Sequence, residues 1–381
     1  MNVLYVATYE GLTGASYSLL GMINELKTYG VNPLVVLLKD GKLKKELENN
    51  EIPYVIVRGY PWVTMPERKK IIKYRFFWLI KNIINNIAEF KIKSIVKENN
   101  IDIIHINAST AGVGYKTSKE LGIPCVWHIR EFVEEDLKKE YWNKKKAMEC
   151  ISNASRVIAI SQSVKEKFQI QLTDPKLNVI YNGVPISGYL VKREKCIFSD
   201  KNIKLIISGR IDPGKGHKEL IEAISLIVER GIVNINLKIV GSSQNKEYEK
   251  QIKEMVLQKK IEKYVEFTGY RNDLPELYKK ADIAIVASKA EAFGRVTVEA
   301  MMAGTLVIGA NTAGTKELIG ENYGLLYEQG NAIDLADKII YAMQNSEKMS
   351  LIAKNAREYS LQRFSAGRNA KEIFDVYETI K

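Results

Sequence analysis

The sequence predicts an α/β protein of two doubly wound domains, each a parallel sheet covered by helices on both faces. Three observations lead there. Short β-branched runs alternate with helix-period patterns along all 381 residues. Several of those runs are apolar throughout, as strands buried on both faces are. The alternation breaks once, between Gly183 and Asn202, where Pro185, Gly188 and Lys192-Arg193-Glu194-Lys195 intervene before a fresh strand. Sheets of this kind bind ligands beyond the carboxyl ends of their strands, so two of them imply a cleft between domains.

The elements follow in order. The opening run Asn2–Thr8 has no basic segment before it and is too short for a signal peptide, so it reads as a first strand. Further strands are expected at Pro33–Leu38, Pro53–Val57, Ile101–Ile106, Pro124–Ile129, Arg156–Ser161 and Leu177–Tyr181. In the second half they fall at Ile203–Ser208, Ile235–Val240, Tyr264–Thr268, Asp282–Ala287, Thr305–Ala310 and Tyr323–Leu326. Between Pro66 and Glu98 the pattern is helical, with Ile72, Phe76, Leu79, Ile80, Ile83, Ile84 and Ile87 on one broad face. From Arg58 to Lys97 ten bases stand against Glu67 and Glu89 alone. Such a helix either packs its apolar face on the first domain or attaches to an anionic membrane surface. The end of the chain, Ala366–Lys381, reads as a helix anchored by Ile373, Val376 and Tyr377.

Composition narrows the function. Apolar residues are 46% and charged residues 27%, ordinary for a globular chain. No apolar run approaches the roughly 18 residues of a membrane-spanning helix. Cys125, Cys150 and Cys196 are odd in number and lack a C-x-x-C pair, which argues against disulfides or zinc and for a reducing cytoplasm. The net charge of +12 suits a phosphorylated ligand, an anionic membrane or nucleic acid. No aromatic–basic recognition module accompanies it, so nucleic acid is set aside.

Two loops carry chemistry. Gly209-Arg210-Ile211-Asp212-Pro213-Gly214-Lys215-Gly216 joins a strand to a helix. It has the spacing of a P-loop, but Gly216 replaces the Ser or Thr that would hold Mg²⁺. What remains is Arg210 and Lys215 near a helix N-terminus, a setting for a diphosphate. The second loop, Glu291-Ala292-Phe293-Gly294-Arg295-Val296-Thr297-Val298-Glu299, leaves a strand and opens a helix. Gly294 permits close backbone approach, and the N–H groups after it can bind phosphate oxygens. His128 closes a strand, His105 sits within one and reads as packing, and Asn107 follows at its end. His217 adjoins the first loop as a cap or lining.

The pair Glu291 and Glu299 resembles the E-x7-E signature of retaining glycosyltransferases of the GT-B fold, family 4. The resemblance extends through Gly11-Leu12-Thr13-Gly14, Val126-Trp127-His128-Ile129-Arg130-Glu131, Val179-Ile180-Tyr181-Asn182-Gly183-Val184 and Thr312-Ala313-Gly314-Thr315-Lys316-Glu317. It implies an N-terminal acceptor-side domain over 1–187, a nucleotide-sugar domain over 188–363, and a last helix, 364–381, crossing back. By the same resemblance Arg210 and Lys215 neutralise the donor diphosphate, helped by backbone at Gly294, Arg295 and Val296. Glu299 holds the ribose, Glu291 and His128 the transferred sugar, and Gly14 lets the first loop approach. Phe293 completes the donor loop, and Tyr270 and Arg271 form the base-binding edge. Asn107, Arg130 and Glu131 are candidate acceptor contacts. The expected reaction moves a sugar from a nucleotide diphosphate sugar, UDP favoured, to a glycan in cell-surface polysaccharide or cell-wall polymer synthesis. No metal or other cofactor is expected, since two bases replace a divalent ion. The enzyme is expected in the cytoplasm, peripheral to the inner face of the plasma membrane. The alternatives are a soluble acceptor or a nucleotide-sugar epimerase of the same fold.

Overall fold

The thirteen runs read as strands all form strands, and they build two parallel sheets. The computed structural model describes residues 1–8, 11–172 and 177–381. Contacts divide the chain into two units, Met1–Gly183 with Ala366–Lys381, and Val184–Ser365.

In the first unit the strands are β1 (Asn2–Ala7), β2 (Asn32–Leu37), β3 (Tyr54–Ile56), β4 (Ile103–Ile106), β5 (Cys125–Ile129), β6 (Arg156–Ala159) and β7 (Leu177–Val179). They lie in the order β3-β2-β1-β4-β5-β6-β7. Val3 sits opposite both Pro33 and Ile103, so β1 is the centre from which the winding reverses. The Gly14–Lys27 helix is opened by a capping box between Thr13 and Ser16, and Gly14 is its first residue. Leu19, Ile23 and Leu26 of that helix pack with Val3, Tyr5, Val35 and Ile103 in one core. Ala370, Ile373 and Tyr377 of the last helix, Ala366–Glu378, join the same core. Each such aliphatic side chain contributes about 1.5–3 kcal/mol by leaving water.

The second unit repeats the plan with β8 (Ile203–Ser208), β9 (Ile235–Val240), β10 (Val265–Gly269), β11 (Ile283–Val286), β12 (Leu306–Ala310) and β13 (Leu325–Tyr327). Their order is β10-β9-β8-β11-β12-β13. Here the winding reverses between β8 and β11, where a ligand crevice forms in such sheets.

Two features were not legible beforehand. Val63–Thr64 and Glu140–Tyr141 pair antiparallel, in segments too short to show a period. The basic helical stretch breaks at Lys70 and Ile71, leaving Pro66–Lys69 and a long helix, Ile72–Glu98. Its attachment is the reverse of core packing. Ala88, Glu89, Ile92 and Val96 are its buried residues, whereas Ile72, Phe76, Leu79, Ile83 and Ile87 stand in solvent. Glu89 points inward, accepting hydrogen bonds from Gly114 N (2.8 Å) and Thr117 N (3.0 Å) at the start of the Tyr115–Leu121 helix.

Candidate active site

The loops after β8 and β11 leave neighbouring strand ends and are laced together. Asp212 Oδ1 accepts a hydrogen bond from Gly214 N (2.9 Å), which folds Pro213–Lys215 into a single 3-10 turn. Gly214 O in turn accepts from Lys289 N (2.9 Å) in the other loop. Lys215 Nζ then lies 2.5 Å from Glu291 Oε1, and Ser288 Oγ donates to the same oxygen at 2.7 Å. Burial alone would raise the Glu291 pKa. The Lys215 charge, hydrogen bonds from Lys215 and Ser288, and the charge of Arg210 bring it below the usual carboxylate range. Glu291 is therefore an ionised acceptor. Arg210 itself is exposed at the strand end.

Gly294, at φ +94°, turns the chain into the Arg295–Met302 helix, and no side chain caps that helix. Its first turn points N–H groups and the positive dipole end at the loop. Arg295 Nε donates to Glu299 Oε1 at 2.7 Å, one turn on. Burial pushes the Glu299 pKa up, and Arg295 only partly reverses this. The small-residue loop seats the whole motif. Gly314 N donates to Glu291 O (3.0 Å), and a Cβ at Gly314 would stand 2.6 Å from Phe293 O and 2.8 Å from Glu291 O.

In the first unit a buried polar chain ends at His128, the fourth residue of β5. Arg130 Nη2 lies 3.2 Å from His128 Nδ1, as does His105 Nε2, while His105 Nδ1 is 2.6 Å from the Tyr377 hydroxyl. A guanidinium can only donate, so His128 Nδ1 accepts and its proton sits on Nε2. That Nε2 is buried and has no partner among the described residues. Burial, then the Arg130 charge, then His105 hold the His128 pKa well below its usual value. His128 is thus a neutral donor aimed from a strand end. His105 is held down to about 3 by burial and Arg130.

Several expected contacts are differently employed. Arg130 is buried, donating to Asn107 Oδ1 (2.7 Å) and Asn182 Oδ1 (2.6 Å), and so ties three strand ends together. Glu131 is buried too, accepting from Ser109 N (3.0 Å) and Arg130 N (2.9 Å), with burial pushing its pKa up to about 7. These two side chains and Asn107 thus belong to one buried hydrogen-bonded network at the strand ends. The Phe293 ring is buried edge-on against Phe364, leaving its backbone to the loop. Arg271 is clamped by both oxygens of Asp273, and it and Tyr270 follow edge strand β10. His217 is buried in the first turn of its helix, its pKa lowered by burial to about 4. Missed beforehand were His105, Tyr377, Asn182 and Ser288 as polar partners. Ser288, three residues before Glu291 at a strand end, was the most findable. Among the described residues no three His, Cys, Asp or Glu side chains gather as a metal site.

Residues 12–187 match the model for Glycosyltransferase Family 4, and residues 191–359 that for Glycosyl transferases group 1. An uncharacterized glycosyltransferase of Methanocaldococcus jannaschii is 28% identical, covering 93% of this chain and 94% of its own. A UDP-Gal:alpha-D-GlcNAc-diphosphoundecaprenol alpha-1,3-galactosyltransferase of Escherichia coli is 25% identical over 78% of this chain and 80% of its own. Among solved structures, Anabaena HepE in complex with UDP superposes with a TM-score of 0.82 at 25% identity, all of both chains covered. The same protein is also known with UDP-glucose, at 26% identity and a TM-score of 0.80.

Proposed function

The chain belongs to glycosyltransferase family 4 and has the GT-B fold, and from that premise we propose a retaining transferase that uses a UDP-sugar and extends a lipid-linked glycan of a cell-surface polymer. The observation that carries this is the Lys215–Glu291–Ser288 cluster, set with Arg210 at the reversal point of the second sheet.

Transfer breaks the bond between the anomeric carbon and the β-phosphate oxygen and forms one to an acceptor hydroxyl, whose proton leaves with the diphosphate. Negative charge grows on the departing diphosphate. Lys215, Arg210 and the uncapped start of the Arg295–Met302 helix are placed to meet it, and such pre-placed charge is the largest catalytic term available. With those cations present the reaction proceeds without a divalent metal. Glu291, ionised and already held by two donors, orients sugar hydroxyls and is no free nucleophile. Glu299 takes the ribose. His128 offers its Nε2–H at a strand end of the first unit. UDP is favoured by the HepE complexes, and the polyprenyl-linked acceptor by the name of the Escherichia coli relative. The enzyme works at the cytoplasmic face of a membrane.

Melting shifts with UDP, GDP, ADP and their sugars test the donor. At a hundred times its Kd the right ligand adds about 2.7 kcal/mol. The anomeric configuration of the product, read by NMR, tests retention, and activity in EDTA tests metal independence. A response to GDP or ADP alone, an inverted product, or strict need for Mg²⁺ or Mn²⁺ each overturns its part. Epimerisation of a nucleotide sugar without acceptor would replace the transferase reading.

A further inference from the structure

The Ile72–Glu98 helix holds on to the first unit by one side only. Asn85 clamps Tyr60 through both its amide groups (Oδ1 to Tyr60 N 2.7 Å, Nδ2 to Tyr60 O 3.0 Å), Trp78 lies against Trp142, and Glu89, Ile92 and Val96 are buried. At about 100° per residue these positions cluster on one side of the cylinder. The opposite side carries Ile72, Phe76, Leu79, Ile83, Ile87 and Phe90, spaced by fours and threes. They are 81, 62, 54, 61, 50 and 69% exposed. From end to end this stripe runs roughly 27 Å.

Bases border it on both edges. Lys73 and Lys91, five turns apart, flank one edge, and Arg75 and Lys93 flank the other. Lys73, Arg75 and Lys91 are exposed and have no acidic partner among the described residues. Glu89, the one acid in the middle of the helix, is turned inward onto backbone N–H groups, so the outer face is more basic than the sequence count suggests.

We propose that this stripe lies in the plane of an anionic lipid surface, its apolar residues inserted at the headgroup boundary and its two rows of bases on the phosphates. An apolar stripe of this length left in water is the signature of an interfacial helix, and anionic headgroups complement the flanking bases. A second copy of the chain is the poorer occupant, because apposed stripes would bring like-charged rows together. The inference rests on the helix alone and is independent of the glycosyl-transfer reading.

The test is co-sedimentation of the full chain with vesicles of phosphatidylcholine, with and without phosphatidylglycerol. Two variants accompany it, Phe76→Ser/Ile83→Ser/Phe90→Ser and Lys73→Gln/Arg75→Gln/Lys91→Gln. All substituted positions are exposed, and circular dichroism with the melting temperature verifies that both variants are folded. Wild type should pellet with the anionic vesicles at low salt, at least tenfold better than with neutral ones, and less as salt rises. The Ser variant should stay in the supernatant, and the Gln variant should lose the preference for anionic lipid. The proposal is overturned if wild type does not pellet at low salt or if the Ser variant pellets equally. It is also overturned if light scattering shows a wild-type dimer that the Ser variant breaks. UDP-induced melting shifts, measured on the same samples, report the donor site separately.

Discussion

With Arg130 Nη2 against His128 Nδ1, the imidazole has one place left for its proton. Nitrogen-15 NMR should show a single Nε2–H tautomer of His128 that does not change between pH 7 and pH 5. Arg130→Met should mix the tautomers and cost about 3 kcal/mol of stability, since it leaves the buried acceptors of Asn107, Asn182 and His128 without their donor. A pH effect follows from His105. Its folded pKa, about 3, lies below that of an unfolded histidine, so acid favours the unfolded chain once pH drops under the ordinary value of about 6.5. Between pH 6.5 and 5 wild type should lose roughly 2 kcal/mol more than His105→Gln, as read by denaturant unfolding. Equal losses would mean His105 takes up protons in the fold. At Lys215, replacement by Ala should lower kcat/KM by about 10²- to 10³-fold and also lower the melting temperature, because Glu291 loses its partner in a buried site. It should also raise the Glu291 pKa, moving the acid limb of the rate profile upward, because Lys215 is the main group holding that pKa down.

Loops and helices show the limits of reading a chain without its fold. The strands were legible because each is a short apolar run between helical periods, a local property. The Glu291–Glu299 loop was legible because its polar groups and its glycine are written in consecutive residues. The His105–His128–Arg130 chain was not, since it closes through Tyr377, 272 positions away. Periodicity likewise gave the apolar face of the Ile72–Glu98 helix, but a period says nothing of what covers it. Gly314 shows how one element depends on another. Gly314→Ala should push the Glu291–Phe293 backbone outward, costing about 1–3 kcal/mol by overpacking and abolishing the UDP-induced melting shift. A retained shift would show that the loop can move aside.

At the level of the whole molecule, the first unit is assembled from both ends of the chain. Deleting residues 366–381 should therefore damage the unit that contains Met1 and spare the one that precedes the cut. Ile373 and Tyr377 leave the first core, and His105 loses its hydroxyl partner. Limited proteolysis should find 1–183 cleaved and 184–365 intact; protection of both halves would show the last helix to be an accessory. Val184 and Ser365, the ends of the second unit, meet in a parallel bridge, with Val184 N bonded to Phe364 O at 2.9 Å. That juncture sets a timetable for synthesis. Ribosomes add about 5–20 residues per second, so the first-made half waits many seconds for its last helix, while the later-made half is complete by residue 365. The amino-terminal half, born first, is the last to mature, and its open core is what a nascent-chain chaperone would meet.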